Sequence, residues 1–217
     1  MKEKFIPAFD FNAFTKFFDP FISHSIPEIR IKEELIDLMN IRDDDNILDF
    51  GCGTGTLLIL GKQKHPKAHF EGIDIDPSIL AIAKKKIKNQ NLDITLTEYD
   101  GGSLPKNSNT INKVMSSLMM HHLKTDKKLN AMREIYRIIA SGGEFYLADF
   151  GKQQNPILAV IGSIASLFEK EVEANFKGRL PELMTSAGFK NVQTLRTYNT
   201  KLGTICIYSG IAVKDAG

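Results

Sequence analysis

From Ile47 onward, apolar residues fall into short β-like runs that alternate with longer runs at helical spacing, the rhythm of an α/β sheet. NILDF (46–50) predicts a buried strand and TGTLLILGKQ (54–63) the helix that follows it. HFEGIDI (69–75) is a second strand ending in acid. DPSILAIAKKKIKNQ (76–90) predicts a helix with Asp76 as N-cap and Pro77 at the first helical position, where its missing N–H costs nothing. Ile79, Ile82, Ala83 and Ile87 are expected on its buried face. DITLTEYD (93–100) alternates at period two, and INKVMSSLMM (111–120) follows a polar loop. DKKLNAMREIYRIIASGG (126–143) spaces Leu129, Met132, Ile135, Tyr136 and Ile139 as a helix that stops at Gly142 and Gly143. EFYLADF (144–150) is the next strand, LPELMTSAG (180–188) a helix, and VQTLRTY (192–198) with GTICIYSGIAV (203–213) a closing antiparallel hairpin.

Two stretches stand outside this alternation. FIPAFDFNAFTKFFDPF (5–21) holds half of the chain's 14 phenylalanines, and NPILAVIGSIASLFEKEVEANF (155–176) is apolar almost all round in its first half. The expected organisation is one domain: an aromatic N-terminal cap and helix (1–40), a core (41–150), an apolar cap insertion (151–180), and a C-terminal helix and hairpin (181–217). The alternative for the segment at 156–168 is a dimer face.

Composition narrows the class. With 217 residues, 42% hydrophobic and 25% charged, the chain is long enough to bury a full core. A net charge of +2 leaves no dominant field to attract nucleic acid, and the lysines of AKKKIKNQ (83–90) read as a solvated helix face. Two distant cysteines, Cys52 and Cys206, favour a reducing cytoplasm over a disulfide framework. The polar residues scattered through the N-terminus break any signal-peptide core, and no apolar run reaches the length of a membrane span. The expectation is a soluble, cytoplasmic protein.

The chemistry centres on ILDFGCGTGTL (47–57), with Gly51, Gly53 and Gly55 behind an apolar run. Such a turn brings backbone amides close to a ligand, with a helix N-terminus beyond it. A dinucleotide, a nucleoside cofactor and a bare strand-to-helix turn all fit the glycines alone. In an open α/β sheet the ligand lies beyond the carboxyl ends of the strands, where Asp49, the glycines, Asp74, Asp100, the run 116–122 and Asp149 are all expected. Asp74 comes a little over twenty residues after Gly51, the separation that suits a carboxylate on ribose hydroxyls in either cofactor class. Asp49 discriminates, because its charge would repel a pyrophosphate and welcome a cation.

The chain resembles the class I S-adenosylmethionine-dependent methyltransferases. ILDFGCGTG is similar to their first motif, EGIDID to the acidic end of their second strand, and EYDGGSLP to the segment meeting the adenine. INKVMSSLMMHHL is similar to the fourth strand and its loop, and REIYRIIASGGEFYLADF to the helix, glycine pair and fifth strand, with a likeness to the quinone-biosynthesis type. The resemblance implies a doubly wound, Rossmann-like, mostly parallel seven-stranded sheet with an antiparallel last strand, helices on both faces and a helical cap. It implies S-adenosylmethionine as cofactor, with S-adenosylhomocysteine as product, and a small-molecule methyl acceptor favoured by greasy cap walls. Gly51, Cys52, Gly53 and Gly55 would pass under the cofactor with Asp49 near its methionine moiety. Asp74 would take the ribose hydroxyls, Ile75 would pack on adenine, Asp100 and Gly101 would meet its edge, and Ser116 would lie beneath. The chain departs from the family's pattern at Asn112, often an acid, and Ser141, often proline.

Methyl transfer is an in-line displacement that rests chiefly on alignment and exclusion of water. A base helps when the acceptor must lose a proton, and His121 or His122 is the candidate, against a plain loop role. Asp149 would bind substrate, orient a histidine, or cap the next segment. Adjacent histidines with no third ligand nearby argue against a metal, and Cys52 has no partner base to make it a catalytic thiolate. The competing readings are a non-catalytic cofactor-binding partner protein and a dinucleotide oxidoreductase, the latter disfavoured by Asp49 and the glycine spacing.

Overall fold

The computed structural model describes residues 27–154, 174–201 and 203–214. The aromatic stretch 5–21 and the segment 156–168, and with them the cap and dimer-face expectations, lie outside the described residues. The elements are α1 (Glu28–Leu38), β1 (Asn46–Phe50), α2 (Thr56–Lys64), β2 (His69–Asp74), α3 (Pro77–Asn89), β3 (Thr95–Glu98), β4 (Ile111–Ser117), α4 (Thr125–Ile138), β5 (Ile139–Phe150), α5 (Leu180–Ser186), β6 (Lys190–Thr200) and β7 (Gly203–Ile211). They form a seven-stranded sheet in the order β3-β2-β1-β4-β5-β7-β6. The β1–β2, β2–β3, β1–β4 and β4–β5 pairings are parallel, and β7 is antiparallel to both neighbours.

Strand character follows position. Central β1 is buried along Ile47, Leu48, Asp49 and Phe50, as a strand covered on both faces must be, whereas edge strand β3 is short and half-exposed. One face packs Ile31, Leu35 and Ile36 of α1, Leu57 and Leu58 of α2 and Leu80 of α3 against Met115, Tyr146, Ile205 and Ile207. The other packs Met132 and Ile135 of α4 and Leu183 and Met184 of α5 against Val114, Phe145, Leu147 and Tyr208. Among the described residues, no helix is long and apolar enough to cross a membrane.

Asp76 caps α3 as expected, its Oδ1 accepting from Ser78 N (2.8 Å) and Ile79 N (3.4 Å). The buried stripe of that helix is Leu80, Ala83 and Ile87, however, and Ile82 is 46% exposed. The i, i+3, i+7 row centred on Ala83 faces the sheet, and Ile82 is rotated about 100° away from it. A second correction concerns the glycine pair. Helix α4 ends at Ile138, and Ile139 is already extended and paired with Ile111. Gly142 (φ +82°) and Gly143 sit in a strand irregularity, where a Cβ at Gly143 would come within 2.5 Å of the Asn112 carbonyl. β-Branched residues at the junction pair with β4 before the helix reaches its glycine stop. Asn112, meanwhile, accepts the Asn46 N–H (2.8 Å) at the end of the sheet away from the glycine loop, and Ser141 bonds the backbone of Lys214.

Candidate functional site

Strand order reverses between β1 and β4, which places the loops following them at one crevice. The glycine loop is folded over the end of β2: Gly51 N and Cys52 N both donate to the Ile73 carbonyl (2.9 and 3.0 Å). Gly51, Gly53 and Gly55 have φ of +72°, +53° and +75°, a region that side chains disfavour. Their surroundings differ. A Cβ on Gly51 would lie 2.3 Å from Met119 Cγ, whereas one on Gly53 would meet nothing within 4 Å, so the open side of the loop faces the crevice at Gly53. Gly51→Ala is therefore expected to destabilise the fold by roughly 1–3 kcal/mol and Gly53→Ala by about 1 kcal/mol. Equal melting temperatures for the two variants would contradict this geometry.

Carboxylates flank the loop. Asp49 is 2% exposed, and burial pushes its carboxyl up to about 7, with Asp74 adding to the rise and the Lys32 ammonium opposing it. Asp74 accepts from Gly53 N (2.8 Å, Oδ2) and Asp76 N (3.1 Å, Oδ1), which fixes its carboxylate at the end of β2. The Cys52 thiol is turned inward towards Gly72, and burial raises its pKa further from thiolate chemistry, so this residue faces the crevice through its backbone. Ile75 and Gly101 (φ +82°) are neighbours, with the Ile75 Cδ1 at 3.2 Å from a Cβ position on Gly101. Asp100 binds the Gly102 N–H (3.0 Å). Ser116, fully buried, donates to the Phe50 carbonyl (2.8 Å) and ties β4 to β1 at the reversal point.

The end of β5 carries a second polar cluster. Asp149 is completely buried, with Oδ1 at 2.9 Å from His121 Nδ1 and Oδ2 accepting the His121 backbone N–H (3.3 Å). Asp149 Oδ1 also accepts from Phe150 N (2.7 Å) and Asn175 Nδ2 (3.2 Å). His121 packs edge-on against Phe150 (5.1 Å), and Phe150 edge-on against Phe176 (5.9 Å). The His122 ring lies 4.0 Å from that of His121, and loss of solvent around the ring, with the neighbouring imidazole adding to it, holds His122 below the ordinary imidazole range, although part of the residue reaches solvent. Of the two histidines, only His121 is joined to Asp149 by a hydrogen bond among the described residues.

Sequence reasoning missed Lys32, Met119, Asn175 and Phe176. Lys32 pairs with Glu28 on α1 and is placed to act on Asp49 by packing of that helix, not by a motif. Asn175 lies 26 positions after Asp149 and carries no local signal. Among the described residues no group of three or more His, Cys, Asp or Glu side chains is placed to hold a metal.

The open side of the loop at Gly53, the buried carboxyl of Asp49, which a cation would help to ionise, and the anchored carboxylate Asp74 fit a nucleoside with a cationic tail. Comparison with known proteins agrees. A methyltransferase domain family matches residues 47–143. The demethylmenaquinone methyltransferase of Thermus thermophilus is 29% identical over 57% of this chain and 55% of its own length, so the chain spans about half of that relative. The enzyme of the same name from Lactobacillus johnsonii is 28% identical over 81% of this chain and 79% of its own. Among solved structures, the phosphoethanolamine N-methyltransferase 2 of Haemonchus contortus, in complex with phosphomonomethylethanolamine and S-adenosylhomocysteine, superposes with a TM-score of 0.69 at 13% identity. That superposition covers 85% of this chain and 53% of that one and bears on the fold. The glycine loop, Asp49, Asp74 and the β1–β4 reversal all lie within the stretch that matches the methyltransferase domain family, and the chain is similar to these methyltransferases.

Proposed function

We propose that this protein transfers the methyl group of S-adenosylmethionine to a small apolar or aromatic acceptor, with His121 as general base and Asp149 holding it. The observation that carries this reading is the buried carboxylate at 2.9 Å from His121 Nδ1. Nδ1–H donation to Asp149 leaves Nε2 free to take a proton. The aromatic edge formed by His121, Phe150 and Phe176 and the names of the two quinone-methylating relatives support a planar ring as the acceptor.

The bound cofactor supplies an electrophilic methyl on a sulfonium. The chain's own residues do the rest. Asp49 faces the cationic tail, Asp74 receives the ribose hydroxyls beside its two backbone donors, and Ile75 with Gly101 forms an apolar seat for the base. Asp100 and Gly101 border its edge, and Ser116 secures the strands beneath. Buried, unpaired Cys52 and Cys206 suit the reducing cytoplasm, and the balanced charge argues against nucleic acid as partner.

Calorimetric titration with S-adenosylmethionine, S-adenosylhomocysteine and NADH tests the cofactor assignment. The wild type is expected to bind both adenosyl ligands at micromolar levels and to ignore NADH. Asp74→Ala is expected to weaken adenosyl binding about 100-fold, as the loss of two charge-assisted hydrogen bonds implies. NADH binding in preference to the adenosyl ligands would restore the oxidoreductase reading.

A further inference from the structure

Asn175 has no place in the binding or base chemistry just described, yet its side chain is fully buried. Its Nδ2 donates to Asp149 Oδ1 at 3.2 Å. An ionised carboxylate only accepts, so the amide nitrogen must face it, which fixes the orientation of the carboxamide. The other end of that group, Oδ1, is buried without a hydrogen-bond partner among the described residues. A buried carbonyl oxygen beside a carboxylate is costly when unpaired, and native structures keep such groups where a ligand or water completes them.

Its position says which ligand. The oxygen and nitrogen of one carboxamide are about 2.2 Å apart, which puts Oδ1 within about 5.5 Å of the Asp149 oxygen that also meets His121. The next residue, Phe176, packs its ring on Phe150, whose ring packs on His121. The unpartnered acceptor thus lies close to the carboxylate that meets the imidazole, on the residue next to the aromatic edge.

Resting on the methyltransferase reading, we infer that Asn175 contacts the methyl acceptor, its Oδ1 accepting a hydrogen bond from a hydroxyl or N–H on the acceptor's ring. The site then selects rings that carry a donor and discriminates against their ethers. A donor-bearing ring satisfies the oxygen, and an ether of the same shape leaves it unpaired. One hydrogen bond to a buried acceptor corresponds to roughly a tenfold preference.

The test uses 1-naphthol and 1-methoxynaphthalene as probes, titrated into protein saturated with S-adenosylhomocysteine. The wild type is expected to prefer the naphthol about tenfold, and the preference is expected to vanish in both Asn175→Ala and the volume-preserving Asn175→Leu. Retained S-adenosylhomocysteine affinity reports that each variant is folded. Side-chain amide NMR of the wild type gives an independent reading, since the naphthol and not the ether should shift the Asn175 resonance. A preference that survives in the variants, an Asn175 resonance blind to the naphthol, or a wild type indifferent to both probes would overturn the inference while leaving cofactor binding intact. Failure of S-adenosylhomocysteine itself to bind would bring down the methyltransferase reading and this one with it.

Discussion

Asp149→Asn is expected to lower the methyl-transfer rate by two to four orders of magnitude and to leave S-adenosylhomocysteine affinity within about twofold. The carboxylate accepts from the His121 backbone, Phe150 N and Asn175 Nδ2 and faces His121 Nδ1, all in a fully buried setting. An asparagine of the same shape replaces one acceptor with a donor. Wherever the new NH2 points, it opposes an existing N–H or forces the imidazole into the other tautomer, with its proton on Nε2 and its base capacity lost. The decisive comparison is single-turnover transfer from labelled S-adenosylmethionine, wild type against variant, across pH 6 to 9. A proton-abstraction role predicts loss of the rise in rate with pH that a general base confers, along with the rate itself. A variant within fivefold of wild type at every pH would remove His121 and Asp149 from the mechanism.

Asp49→Asn should separate stability from binding. In the unliganded fold, burial raises the Asp49 carboxyl from 3.8 to about 7, so the native state keeps a proton that the unfolded chain releases near pH 4. The sign follows directly. Below about pH 4 both states are protonated and the residue is neutral to stability. Between about 4 and 7 each rise in pH favours the unfolded chain, and above 7 the penalty is complete, on the order of a few kcal/mol. Asparagine avoids ionisation, so the variant is expected to melt several degrees above wild type at pH 8 and close to it at pH 4. Its affinity for S-adenosylmethionine should nonetheless fall at least 100-fold, because the cationic tail loses its buried counter-charge. The wild type should bind more tightly as pH rises through 7 and release a proton as it does so, which calorimetry in buffers of different ionisation enthalpy detects. Melting curves that superpose at pH 8 would mean Asp49 is not strained by burial.

The β1, β2, β4 and hairpin strands were legible because their apolar runs are short, bounded by polar turns and placed at α/β spacing. The cofactor side was legible for a related reason. Positions such as Gly51 and Gly53 need φ values that favour one residue type, and a carboxylate at a strand end, like Asp74, is fixed by the strand itself. What stayed hidden depends on contacts between distant segments. Ile82 looked as apolar as Leu80, and only docking of α3 on the sheet decides which is covered. Ile139 fits either the end of a helix or the start of a strand until Ile111 is beside it. The pairing of His121 with Asp149 spans 28 positions, and Asn175 reaches the same carboxylate from a third segment. Local pattern names the ends of strands; tertiary packing decides which side chains meet there.

The antiparallel β7 wedges between β5 and β6, in register with Asp149 opposite Cys206. During synthesis, then, β4 and β5 can pair as soon as they emerge from the ribosome, but the outer flank of β5 stays an open edge until residues 203–211 have left the exit tunnel. Only then can Glu144 to Phe150 be sandwiched and the carboxylate sealed from water. The nascent chain can assemble the glycine loop early and the Asp149–His121 pair only last, and a chain cut before β7 would carry the loop without a buried partner for His121.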